Sequence, residues 1–219
     1  MPDKNPVLTV EELRKEYGNK REAIRSRLKE FECRFLEGDE PIFKELCFCI
    51  LAANSSAEMG IKTLSAIEDI VLEADLRALQ DRLSRGFRYW RVRPSYIVHT
   101  RDYLKREHGF KLRELLRSFP DHERRRDFFA LNKNIKGIGF KEASHFLRNI
   151  GCRGYAILDK HILSSLSELG VIRRNRRPLS PARYRQIEKK MRSFSERIGI
   201  DMDELDLLLW SRKTGKILK

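Results

Sequence analysis

Residues 136–151 read KGIGFKEASHFLRNIG. Two glycines bracket one isoleucine, and Lys141 follows two residues after the second glycine. Gly137 and Gly139 can take up positive φ and let the backbone come close to another molecule. From Phe140 onward Ala143, Phe146, Leu147 and Ile150 recur at helical spacing, which predicts a helix starting at the turn. The free N–H groups and positive dipole end of that helix then point out of a glycine turn, the makings of a phosphate-binding nest. Leu131, Ile135 and Ile138 lead into the turn and supply a second apolar flank, as in a helix-hairpin-helix unit packing on itself. Lys136, Gly137 and Gly139 are accordingly the candidate contacts to a nucleic-acid backbone.

Lys141 is less simple. It falls in the first helical turn, where the dipole disfavours a cation. A partly desolvated lysine at a positive helix end is biased toward its neutral amine, and a neutral amine can attack an electrophilic carbon and form a Schiff base. From this stretch alone a phosphate clamp and a nucleophile stand level.

The remaining chain narrows the setting. Its 219 residues, 41% of them hydrophobic, suffice for one large domain or two smaller lobes. Forty-six Lys and Arg against thirty-two Asp and Glu leave a net charge of +14, which favours a polyanionic partner such as nucleic acid, although a solvated charged surface would look the same. No apolar run reaches about 18 residues, so no membrane span is expected. The N-terminus MPDKNPVLTV lacks the layout of a secretory signal, which predicts an intracellular, cytoplasmic protein. Cys33, Cys47, Cys49 and Cys152 form no CxxC pair, so free thiols and no metal site are expected.

The periodicity is helical throughout. Thr9 and Glu12 resemble a capping box opening a helix over 10–36. Pro41 is placed to begin the next, and PIFKELCFCILAA is apolar around most of its circumference, which marks a buried central helix. Further helices are predicted near 57–73, 76–84, 92–107, 111–118, 121–131, 181–198 and 202–212, with Ile162, Leu163, Leu166 and Leu169 repeating helically before Gly170. No strand alternation interrupts them, and the fold class is all-α. RRNRRPLSP, 173–181, reads as a basic loop.

Asp159 interrupts the apolar segment AILDKHIL at a predicted helix start. An N-cap role explains it without further appeal; an ionised carboxylate at a cleft edge could also stabilise positive charge developing on a sugar ring. His161 is either a phosphate contact or an ordinary polar residue. IKGIGFKEASHFL followed at this interval by LDKHIL resembles the helix-hairpin-helix DNA glycosylase superfamily, the endonuclease III relatives. The resemblance implies two helical lobes flanking a DNA-binding cleft, with the hairpin followed by a glycine-rich loop and a catalytic aspartate. It places Lys141 on the lysine of the bifunctional members and Asp159 on the aspartate. The implied chemistry is N-glycosidic cleavage through a Schiff base at C1′ of the deoxyribose, then strand scission by β-elimination. CILAANSSAE resembles the family's buried helix and the polar turn after it, so Asn54 would lie near the gap left by an extruded base; a helix C-cap is its plain reading. Only Cys152 lies beyond the hairpin, so the iron–sulfur cluster of many relatives is not expected. Hairpins of this family commonly hold a monovalent cation through backbone carbonyls, for which no side-chain signature exists.

DELDLLLWSRKTGKILK, with FKELCFCILAANSSAEMGI and RPSYIV, is similar to the short, mainly archaeal 8-oxoguanine DNA glycosylase/AP lyases. By that likeness Trp210 stacks on a flipped purine and Tyr89 or Trp90 covers its other face, since flipped bases are held between π surfaces. Asp203 and Asp206 share a helix face with Trp210; either could accept from a purine N–H, or both could be solvated acids suited to a first turn. In this class the tail folds back and Lys219 reaches the active site. The lobes would comprise residues 52–151, ending in the hairpin unit at about 124–151, and residues 1–51 with 152–219. The expected partner is double-stranded DNA containing oxidised guanine, bound by a monomer. A glycosylase/lyase for another damaged base, or a non-catalytic helix-hairpin-helix module using the hairpin and Arg173–Arg177, remain alternatives.

Overall fold

The computed structural model describes residues 8–173 and 179–218, so Lys219 and most of the 173–177 basic run lie outside the described residues. The described regular structure is helical: α1 Val10–Leu36, α2 Asp39–Ala52, α3 Ala57–Ser65, α4 Leu76–Leu83, α5 Arg93–His108, α6 Leu112–Ser118, α7 His122–Leu131, α8 Phe140–Asn149, α9 Lys160–Glu168, α10 Pro181–Ile198 and α11 Met202–Thr214. The capping box at α1 forms, with Thr9 N–H on Glu12 and Glu12 N–H on Thr9 Oγ1.

The chain divides into two compact units, one of residues up to Glu30 and from Arg153, the other Phe31–Cys152. The expected boundary near residue 52 therefore falls inside α1 instead. The reason is α2. Residues Ile42, Phe43 and Glu45–Leu51 are buried, and the helix packs on α3, α5, α6 and α8, so it is the core of the 31–152 unit. Each such apolar side chain contributes about 1.5–3 kcal/mol on burial. Glu45 sits within this apolar surface, 3% exposed, and accepts a 2.7 Å hydrogen bond from Asn149 Nδ2 of α8. Asn149 in turn accepts from Arg148 Nε, whose guanidinium lies 5.1 Å from the Phe31 ring. Phe129 of α7 meets Phe146 of α8 at 4.9 Å and clamps the two hairpin helices together.

One predicted helix is shorter than its periodicity suggested. The 57–73 stretch leaves helix after Ser65 and continues as tight turns, with Ile67 N bonded to Leu64 O and Ile70 N to Ile67 O. β-Branched Ile67, Ile70 and Val71 fit a helix poorly, and the carbonyls of Val71, Leu72 and Ala74 are bonded by Arg101 and Lys105 of α5.

In the other unit α11 is buried from Met202 to Leu209, acids included. Glu204 accepts from Tyr17 Oη and, at 2.7 Å, from Arg25 Nε, which ties α1 to α11. Burial and the Glu204 carboxylate push the Tyr17 hydroxyl above its ordinary range. Arg14 closes the end of α10 by bonding Ile198 O.

Gly151 ends α8 at φ 83, and a Cβ there would lie 2.6 Å from Glu32 Cα. Left-handed backbone and a collision with main chain combine, so Gly151→Ala should cost about 2–5 kcal/mol, read as a lowered urea midpoint at unchanged slope.

Candidate functional site

In the 31–152 unit the hairpin forms between α7 and α8. Asn132 Oδ1 accepts from Asn134 N–H at 2.9 Å and starts the turn, and Thr100 Oγ1 of α5 accepts from Lys136 N–H at 3.0 Å, fixing it from beneath. Of the two glycines only Gly137 is left-handed, at φ 74; Gly139 is extended, at φ −109 and ψ −167, and serves as the N-cap of α8. Glu142 Oε2 accepts from the Gly139 N–H at 3.3 Å. That amide is therefore taken, while those of Gly137 and Ile138 have no hydrogen-bond partner among the described residues. Of the three residues that the sequence put forward here, Lys136 and Gly139 have their amides bonded, by Thr100 and by the third-position acid that reaches back to the cap, and Gly137 keeps its own.

Lys141 occupies the first turn of α8 with 32% of its side chain exposed, its Nζ 3.0 Å from Glu142 Oε1. The carboxylate on the next residue offsets the unfavourable placement of a cation at this helix end. Glu142 thus serves the cap with one oxygen and the lysine with the other. Its position three residues after Gly139 was a legible capping signal.

Arg93 gathers the other candidates of this unit. Only 9% exposed, it donates from Nη2 to Ala53 O at 3.3 Å, beside Asn54. Its guanidinium lies 5.4 Å from the Tyr89 ring and 5.6 Å from that of Tyr96. A Cβ on Gly137 would meet Tyr96 Cδ2 at 2.6 Å and Arg93 Nη1 at 3.0 Å, so the hairpin backbone rests directly on both. Asn54 is exposed and left-handed, φ 57, ending the turn after α2. Tyr89 is half-buried, and the half-buried Trp90 carries Arg91 4.8 Å from its ring. Nothing in the sequence pattern singled out Arg93.

In the other unit Asp159 is the N-cap of α9. Its Oδ1 accepts from both His161 N–H and Ile162 N–H, each at 2.8 Å, and Oδ2 has no hydrogen-bond partner among the described residues. The capping reading and a chemical one therefore use different oxygens of the same side chain. His161 is half-buried in the same first turn, and Trp210 is half-buried near the end of α11.

Asp203 and Asp206 are neither solvated nor directed at an open face. Both are 2% exposed. Asp203 accepts from Gly154 N–H through both oxygens at 3.1 Å, and Asp206 Oδ1 accepts from Ile157 N–H at 2.9 Å. The expectation that either reads a purine edge is replaced by this role, because the buried non-helical segment before Asp159 must bond its amides to something. Glu188 of α10 accepts from Ala156 N–H at 3.0 Å, and Tyr184 accepts from Leu158 N–H at 3.1 Å. Among the described residues no group of three or more His, Cys, Asp and Glu side chains could hold a metal ion, and no helix is long and apolar enough to cross a membrane.

A family model described as 8-oxoguanine DNA glycosylase matches residues 24–200. A Korarchaeum cryptofilum protein named 8-oxoguanine DNA glycosylase/AP lyase is 42% identical over 200 residues, covering 91% of each chain. A Methanocaldococcus jannaschii protein of the same name is 40% identical over 91% of this chain and 93% of its own. The crystal structure of a M. jannaschii 8-oxoguanine glycosylase/lyase with a 15mer DNA containing 8-oxoguanine superposes with a TM-score of 0.87, at 37% identity over 96% of this chain and 99% of that one. The Thermotoga maritima 8-oxoguanine DNA glycosylase superposes with a TM-score of 0.84, at 35% identity over 96% and 98%.

Arg93→Met should lower stability by about 1–3 kcal/mol, since it leaves the Ala53 carbonyl unbonded and removes two cation–π contacts; denaturant titration of the two proteins measures it.

Proposed function

Since the chain belongs to the helix-hairpin-helix 8-oxoguanine DNA glycosylase family, we propose that it excises 8-oxoguanine from double-stranded DNA and nicks the resulting site. The observation that carries this reading is Lys141, a partly exposed primary amine in the first turn of the helix that the hairpin opens.

Once its ammonium proton has been given up, Lys141 Nζ attacks C1′ of the damaged nucleotide as the C1′–N9 bond breaks and its electron pair leaves with the base. The ionised Asp159, through the oxygen not engaged in the cap, stabilises the positive charge that develops on the sugar. Loss of the amine proton and opening of the ring at O4′, which takes up a proton, give the Schiff base between Nζ and C1′. Removal of a C2′ proton then expels the 3′ phosphate, and hydrolysis of the imine frees Lys141. The hairpin holds a backbone phosphate on the amides of Gly137 and Ile138, aided by the charge of Lys136. Trp210 stacks on the flipped base, with Tyr89 or Trp90 on its other face. A single acceptor for N7–H separates the lesion from guanine, whose bare N7 would face a second lone pair. The protein acts as a monomer and uses no iron–sulfur cluster, so chelators should leave the rate unchanged.

Borohydride should trap wild type on 8-oxoguanine DNA as a covalent adduct. No adduct with wild type, or equal trapping by Lys141→Gln, would overturn the reading. A duplex panel in which another lesion reacts faster would reassign the base and keep the chemistry. Asn caps a helix about as well as Asp, so Asp159→Asn should keep stability and duplex affinity while slowing excision by about 100-fold or more. Lowered stability with excision at the wild-type rate per folded molecule would leave Asp159 as a cap alone.

A further inference from the structure

Residues 154–158 run as a non-helical strap, half-buried at Gly154 and buried from Tyr155 to Leu158, which joins directly to Asp159. Among the described residues no neighbouring strand bonds it. Its backbone is instead bonded by side chains. Asp203, Glu188, Asp206 and Tyr184 accept from the amides of Gly154, Ala156, Ile157 and Leu158. Tyr184 Oη also donates to Ala156 O at 2.6 Å, and Arg192 Nη2 donates to Gly154 O at 3.0 Å. Tyr184 thereby does with one hydroxyl what a facing peptide would do in a sheet, taking an N–H and giving a proton to a C=O two residues earlier.

The strap's last link sets where Asp159 sits. The Asp159 N–H donates to Ile157 O at 2.7 Å, and the Ile157 N–H donates to Asp206. One peptide-bonded residue thus separates the buried Asp206 carboxylate from the Asp159 backbone. The cap bonds to His161 and Ile162 fix the Oδ1 end, and the strap fixes the Cα end, so the direction of Oδ2 is determined from both sides.

We propose that Tyr184 and Asp206 are positioning residues for base excision, acting through the strap on Asp159. This rests on the reading that Asp159 serves the excision step. It assigns Asp206 to the protein's own backbone and not to the base. Sub-ångström placement of a reacting group governs rate strongly, and strap loosening would be felt where Asp159 acts, at glycosidic cleavage. Schiff-base formation by Lys141 on a pre-formed abasic site would be spared.

The test compares two rates in the full chain under enzyme excess, 8-oxoguanine excision and borohydride trapping on duplex carrying a pre-formed abasic site. Tyr184→Phe deletes one oxygen and should slow excision about tenfold while trapping stays within about twofold. Asp206→Asn keeps an acceptor oxygen but a neutral one, and should slow excision about threefold with trapping again unchanged; it serves if Tyr184→Phe does not fold. In an Asp159→Asn background neither change should slow excision further. Unchanged excision in folded variants, or excision and trapping falling together, would overturn the proposal. If Asp159→Asn itself excises at the wild-type rate, the catalytic reading of Asp159 fails; if it is slow while Tyr184→Phe and Asp206→Asn are not, only the positioning proposal fails.

Discussion

A buried stretch of backbone outside helix and sheet must find partners for its amides, and residues 154–158 find them in side chains. Asp203, Glu188, Asp206 and Tyr184 supply the acceptors from α10 and α11. An unpartnered buried amide costs about 1–3 kcal/mol, so without these four the strap could not stay inside. The arrangement explains why the start of α11 buries acids that a surface helix would leave in water. It also explains how α9 begins where it does, with Asp159 delivered to its cap by a segment that has no other way to be held.

The hairpin in the 31–152 unit is supported differently. Thr100 bonds the Lys136 amide, Arg93 and Tyr96 lie against Gly137, and Glu142 bonds the Gly139 amide. The turn amides left without a hydrogen-bond partner among the described residues are those of Gly137 and Ile138. Side chains of α5 and α8 thus hold the turn and leave these two amides unbonded. Arg93 adds a second consequence. By bonding Ala53 O and lying near the Tyr89 ring, it couples the turn at Asn54 and one of the candidate stacking aromatics to the hairpin.

Both catalytic candidates have structural duties that account for part of each side chain. Asp159 caps α9 with one oxygen, and Lys141 is ion-paired with the residue beside it. The duties hold each group in place, with Oδ2 left unbonded among the described residues in one case and a side chain one-third exposed in the other. Asp159→Asn separates the two roles because the amide can keep the cap and cannot carry the charge.

Local pattern carried the helices, the hairpin, the cap at Asp159 and the buried character of α2, since apolar spacing, glycines and capping residues act within a few positions of themselves. The family likeness in KGIGFK, LDKHIL and the segment around Trp210 carried the chemistry. What local pattern left open depends on partners distant in the chain. Asp203 and Asp206 of α11 read as solvated or as base-contacting until Gly154 and Ile157 are seen to donate to them, 49 residues away. Arg93 gives no local sign that it lies under Gly137, and α2 could be assigned to its unit only by what it packs against. The sequence by itself determined which residues could do chemistry, because that follows from side-chain type and short-range spacing. The tertiary structure decided which of them are occupied in holding backbone, because hydrogen-bond demand is settled only when distant segments meet.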